Sequence, residues 1–238
     1  SVGLPTVIAS KIFIKKSIIR TGGDFLWESY VERTGKKVLL RNFYKDEKNN
    51  FSLKEKIIFK LTRWTLRNVS RIIFSTVWQR DIFIEAYGIE LKNTDIVENY
   101  YGPKEGDMNV DIPLFTASTR DLAWKNLRTL REVFKKVQTQ NHNVELYTKS
   151  LEFADFMNQI KNSYSVILVS LGDISPNMIL DAIRYNRPFI CTKEIGILPR
   201  IKDVGIFVDP LNEKEIEDAV LRLLDKNDLS CVLKTIKI

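Results

Sequence analysis

Two carboxylates, Asp173 and Asp181, stand with seven residues between them in Val-Ile-Leu-Val-Ser-Leu-Gly-Asp-Ile-Ser-Pro-Asn-Met-Ile-Leu-Asp, residues 166 to 181. Acids so placed can accept hydrogen bonds from the hydroxyls of a sugar, although an acid at a strand end and another on a helix are more often solvated or capping groups. The turn between them is suited to an anion. Ser175 reads as an N-cap and Pro176 as the first helical residue, where its missing amide hydrogen costs nothing. The amides of Asn177 and Met178 are then left pointing at the strand end, with the positive pole of the helix behind them. Arg120 and Lys125, five positions apart in another loop, could converge on a diphosphate, although basic residues before a helix are also common surface features.

The elements that position these groups follow from hydrophobic period. Val166 to Val169 is a continuous apolar run, as in a strand buried on both faces, and Met178, Ile179, Ala182 and Ile183 recur at helical spacing just after it. Around this centre the sequence predicts strands 114–118, 144–147, 188–192 and 205–208, with helices 126–137, 153–161 and 214–224. The first of these helices has Leu127, Leu130, Phe134 and Val137 on its inner face. Alternating strands and helices specify a parallel sheet covered on both faces, and ligands bind beyond the carboxyl ends of its strands. Loops 119–126, 170–177 and 192–199 all fall at that end.

The first hundred residues show the same alternation. A helix is expected over 4–14 and a short strand over 17–20, ending in Thr21-Gly22-Gly23-Asp24, which is either a plain turn or the lining of a cleft. Residues 35–51 read as a loop. Ser52 and Glu55 form a capping box that opens a helix to about Asn68, with Leu53, Ile57, Leu61 and Trp64 as its core face. Lys56, Lys60, Arg63 and Arg67 form a basic stripe about 90° round the same helix. That stripe is either a solvated face or a site for anionic lipid or another polyanion, and it lacks the interleaved aromatics on which nucleic-acid bases stack. Strand 71–75, helix 77–87 closed by Gly88, and strand 95–99 complete an αβαβαβ pattern before a polar run, Tyr100 to Val110, that reads as a hinge. Two domains are expected, 1–105 and 106–238.

The chain has 238 residues, 44% of them hydrophobic, enough for a substantial core, and a net charge of +7 that favours anionic partners. Two cysteines, Cys191 and Cys231, and one histidine, His142, argue against a zinc site, a disulfide framework and a Ser-His-Asp triad. No apolar stretch approaches the roughly 20 residues of a membrane-spanning helix.

Asp173-x7-Asp181 followed by Ala182 and, after a short loop, Pro188-Phe-Ile resembles the Glu-x7-Glu motif of the retaining GT-B glycosyltransferases of family four (glycosyl transferases group 1). Gly205-Ile-Phe-Val-Asp-Pro210 is similar to that family's closing strand, and Arg120 and Lys125 fall where it places its phosphate-binding pair. The weaker matches Arg71-Ile-Ile-Phe-Ser75 and Ile96-Val-Glu-Asn99 extend the likeness to the first domain. The resemblance implies an α/β chain of two Rossmann-like doubly wound domains, the first incomplete, because that family's first domain begins with a further strand and a glycine-rich loop. It implies a cytoplasmic enzyme of glycan biosynthesis, free in the cytoplasm or peripheral at the inner face of the membrane, moving a sugar with retention from a nucleotide-sugar donor to a glycan or lipid-linked acceptor, with no metal or other cofactor. Asp181 would hold the ribose and Asp173 the sugar hydroxyls. Arg120 and Lys125 would hold the diphosphate and stabilise the leaving group, with Ser175, Asn177 and Met178 at the turn. Asp24, in the turn where the family often has histidine, would lie near the reacting sugar. Both motif acids are aspartates, each shorter than glutamate by roughly 1.3 Å of reach, so some donor contacts would run through water. The alternative is a non-catalytic Rossmann-like module that binds anions, as a degenerate transferase or a scaffold for membrane or nucleic acid.

Overall fold

A computed structural model of the chain describes residues 3–100, 102–105, 113–117, 120–141, 143–225 and 228–229. His142, Cys231 and parts of the expected hinge and of loop 119–126 lie outside them. The chain divides into two compact units: Ser1–Asn99 with Asp173–Ser175, and Tyr100–Gly172 with Pro176–Ile238.

Unit 1 is built from α1 (Gly3–Ile12), β1 (Ile18–Thr21), α2 (Phe25–Thr34), α3 (Leu40–Asp46), α4 (Leu53–Asn68), β2 (Arg71–Phe74), α5 (Val77–Tyr87) and β3 (Thr94–Ile96). Its three strands are parallel, in the order β1-β2-β3. The expected loop 35–51 contains a helix, α3, with a 3-10 turn after it. No polar-apolar period announced α3; it forms because Leu40 and Phe43 are driven into an aromatic cluster, where Phe43 meets Tyr30, Tyr44 and Phe51 at ring distances of 4.8–5.3 Å. The Ser52 capping box is present, with Glu55 accepting from the Ser52 amide at 2.7 Å.

The expected core face of α4 is turned the other way. Glu55, Phe59, Thr65 and Leu66 are buried, whereas Leu53, Ile57, Leu61 and Trp64 are 77, 49, 45 and 41% exposed. The physical reason is the aromatic cluster, which takes Phe59 in against Tyr87, Phe51 and Tyr44 at ring distances of 5.0–6.1 Å. On the same side Arg33 of α2, itself half-exposed, bonds Glu55 at 2.9 and 3.0 Å. Burial raises the Glu55 carboxyl, but Arg33 and the Ser52 cap outweigh it and hold it below the ordinary range.

Unit 2 contains β4 (Leu114–Thr116), α6 (Leu127–Gln140), β5 (Glu145–Tyr147), α7 (Phe153–Lys161), β6 (Ser165–Leu168), α8 (Asn177–Arg184), β7 (Phe189–Thr192), α9 (Leu198–Ile201), β8 (Ile206–Val208) and α10 (Glu213–Leu224). The five strands are parallel, in the order β5-β4-β6-β7-β8. Every residue of β6 and β7 is buried, and α6 packs on α10 and α7 on α8. The predicted inner face of α6 is buried throughout.

Candidate functional site

In unit 2 the connection from β4 leaves toward β5 and that from β6 leaves toward β7, so the chain order reverses between these two adjacent strands. Loops beyond the carboxyl ends of two such strands splay apart and leave a crevice, the general ligand position in doubly wound sheets. The loop after β4 carries Arg120 and Lys125; the loop after β6 leads to α8. They are tied together, since the Leu171 amide donates to the Trp124 carbonyl at 2.9 Å. Arg120 is exposed. Lys125 is only 8% exposed, its ammonium 4.1 Å from the centre of the Trp124 ring.

Asn126, which the spacing did not single out, organises this end of the sheet. It is buried with φ 58°, a left-handed conformation that asparagine tolerates better than most residues. Its side-chain amide donates to the Val169 carbonyl at 3.3 Å and the Pro210 carbonyl at 2.8 Å, and its oxygen accepts from Thr129 at 2.7 Å. One side chain therefore joins the loops after β4, β6 and β8. The available signal was an asparagine directly before a strongly amphipathic helix.

The α8 cap differs from the expectation. Pro176, with extended ψ of 105°, is the N-cap, and Ser175 lies one residue outside the helix. The Pro176 carbonyl already accepts from Ile179 and Leu180, at 3.1 and 3.3 Å. Asn177 is exposed; the Met178 side chain packs in the core, so only its backbone can face a ligand. Asp181, on the first turns of α8, is half-buried, and desolvation raises its pKa against the opposing pull of Arg184. Arg184 is itself ion-paired with Glu105 and stacked 5.4 Å from the Tyr185 ring.

Asp173 and Ser175 belong to unit 1. There they line a cavity of about 370 Å³ with Arg20, Gly22, Ser75 and Asn99. Arg20 ends on the Val97 carbonyl at 3.3 Å and the Asn99 side-chain oxygen at 3.2 Å, and the Asn99 amide reaches the Ser175 carbonyl at 3.4 Å. Beyond the carboxyl ends of β1 and β2, this cavity offers a guanidinium, a carboxylate and several neutral polar groups, chemistry fit for a polyhydroxylated ligand. Arg20 was read only as the end of a strand.

Asp24 does not line it. Its carboxylate is buried, N-capping α2 by accepting from Leu26 and Trp27, both at 3.1 Å, and accepting from the Tyr44 hydroxyl at 2.7 Å. Burial raises its pKa against these stabilising bonds. With both oxygens engaged inside the fold, Asp24 is a cap that sets the Gly22-Gly23 turn. Among the described residues no group of three or more His, Cys, Asp or Glu could hold a metal.

No family's sequence profile and no curated protein sequence matches the chain. Solved structures do match in fold. HepE of Anabaena, solved with UDP-glucose, superposes with a TM-score of 0.68 at 14% identity, over 99% of this chain and 70% of that one. Sucrose-phosphate synthase of Thermosynechococcus elongatus gives 0.62 at 13%, over 98% and 73%. WaaG, a glycosyltransferase involved in lipopolysaccharide biosynthesis, gives 0.60 at 12%, over 93% and 69%. The chain thus has the GT-B fold of these glycosyltransferases, an α/β architecture of Rossmann-like units.

Proposed function

We propose that the chain is a nucleotide-sugar-dependent glycosyltransferase that retains the configuration of the transferred sugar and delivers it to a glycan or lipid-linked acceptor. The observation that carries this reading is the reversal of chain order between β4 and β6, where the loop bearing Arg120 and Lys125 is tied at Trp124 to the loop that leads to the helix bearing Asp181. Arg120 and Lys125 bind the diphosphate and stabilise charge on the departing nucleotide. The Asn177 and Met178 amides assist, and Asp181 accepts from the ribose hydroxyls. Asp173, with Ser175 and Arg20 in the wall of the unit 1 cavity, receives sugar hydroxyls. That HepE was solved with UDP-glucose supports a uridine donor as the first one to try. No metal is assigned a role, because two side-chain cations supply the charge. The basic stripe of α4 suits an anionic membrane, and with it a peripheral position at the inner face and a lipid-linked acceptor.

Thermal shift and calorimetry with UDP-, GDP- and ADP-sugars test the reading. At a ligand concentration of 100 Kd the fold gains about 2.7 kcal/mol. Arg120→Ala with Lys125→Ala should weaken nucleotide binding by a hundredfold or more, as two charge-assisted contacts of about 1.5–3 kcal/mol each require. Unchanged affinity in that variant overturns the diphosphate assignment, and no stabilisation by any nucleotide leaves the non-catalytic module standing.

A further inference from the structure

We propose that the outer face of α4 is a membrane-docking surface that lies in the plane of an anionic bilayer with its apolar stripe sunk among the lipids. The inference deepens the reading of the basic stripe given above and does not depend on nucleotide binding.

The case begins with the rotation of α4. Successive residues turn about 100°, which puts Leu53, Ile57, Leu61 and Trp64 within about 80° of one another, on the side opposite the buried Glu55, Phe59 and Leu66. Four large apolar side chains, 41–77% exposed, therefore run along a helix of 16 residues, or about 24 Å. A single exposed leucine needs no explanation, but an aligned row does.

The flanks identify the partner. Lys56, Lys60, Arg63 and Arg67 border the row on one side and Lys54 on the other, all exposed. Glu55, the only acid in α4, is buried and bonded to Arg33, so every exposed charge of the helix is positive. A soluble protein partner would have to match an apolar strip bordered on both sides by cations, whereas anionic lipid offers acyl chains under the strip and phosphates under the cations. Lysine and arginine stems can lie along the apolar surface while their charges reach the headgroups.

Charge is also partitioned along the chain. Residues 1–99 contain eighteen Lys and Arg against eleven Asp and Glu, and residues 100–238 contain nineteen of each. The entire net charge of +7 thus sits in the segment that carries α4. No helix among the described residues is long and apolar enough to cross a membrane.

The test is flotation of the full chain with vesicles of phosphatidylcholine and phosphatidylglycerol, 3:1, and of phosphatidylcholine alone, without nucleotide. The wild type should partition at least tenfold better onto the anionic vesicles. Lys56→Gln with Lys60→Gln should lower that partition about 30-fold, from about 1 kcal/mol per basic residue at the surface. Ile57→Ser with Leu61→Ser should lower it at least tenfold while retaining the wild-type circular dichroism and melting temperature, because these side chains do not support the core. Trp64 emission, isolated by comparison with Trp64→Phe, should shift to the blue on binding. The proposal is overturned if neither vesicle binds, if the serine variant binds as the wild type does, if Trp64 emission stays unmoved, or if the same serine changes instead abolish self-association or capture by a protein partner. Nucleotide titration of the same variants separates the two readings: docking can fail with donor affinity intact, and the converse.

Discussion

Replacing Asn126 should damage both stability and donor binding, by an amount that follows from its contacts. In Asn126→Ala the Pro210 and Val169 carbonyls lose this donor inside the fold. An unpaired buried group costs about 1–3 kcal/mol, and a carbonyl bonded at 3.3 Å belongs at the low end, which gives about 2–4 kcal/mol for the two carbonyls. Alanine at φ 58° adds about 1 kcal/mol of backbone strain, which glycine would not incur. Urea unfolding followed by circular dichroism should therefore place Asn126→Ala about 3–5 kcal/mol below the wild type and Asn126→Gly about 1 kcal/mol above the alanine variant. At about 2–4 °C per kcal/mol for a chain of this size, the alanine variant melts on the order of 10 °C lower. Nucleotide affinity should fall as well, since Lys125 is held between Trp124 and Asn126. If both variants unfold within about 0.5 kcal/mol of the wild type, Asn126 does not clamp the three loops and the argument collapses.

Asp24→Asn preserves an N-cap acceptor of equal quality and removes a carboxylate whose burial raises its pKa, so it should stay within about 1 kcal/mol of the wild type, whereas Asp24→Ala should lose about 2–3 kcal/mol from the cap and the bond accepted from Tyr44, which keeps only Tyr87. Loss of transfer activity in Asp24→Asn at unchanged stability would restore a direct role in chemistry. Glu47 accepts from Tyr30, Asn50 and Lys36, which lower its pKa to about 2. Its folded pKa lies below its unfolded one, so its stabilisation is complete above about pH 4.5 and fades as pH falls toward 2. With solvent screening allowed for, the effect is about 1–2 kcal/mol, and Glu47→Gln should flatten that part of the stability-pH curve. Gly205→Ala would place a methyl 2.2 Å from the Phe189 ring, which is wholly buried and has nowhere to go, so it should cost about 1–3 kcal/mol by calorimetric melting.

How far the sequence could be read depends on whether local period and tertiary contact agree. In α6 they do: Leu127, Leu130, Phe134 and Val137 form the widest apolar arc available, no acid or arginine competes for the inner side, and all four are buried. In α4 the apolar arc was just as regular, yet Phe59 on the other side meets Tyr44, Phe51 and Tyr87, and that cluster faces in. Periodicity measures where apolar residues lie relative to one another; it carries no information about which side aromatic rings from other elements will claim. The same limit hid α3, whose inward residues are only Leu40 and Phe43, too few to make a period, and Asn126, whose three partners come from positions 3, 43 and 84 residues away. Asp24 shows the same limit. A short acid after two glycines suits a catalytic turn and a helix cap equally well in sequence, and the bond that its second oxygen accepts from Tyr44, 20 residues away, is invisible there. The parallel α/β alternation itself needed none of these long-range choices, because strands such as β6 and β7 are apolar on both faces and so are buried whichever way they turn.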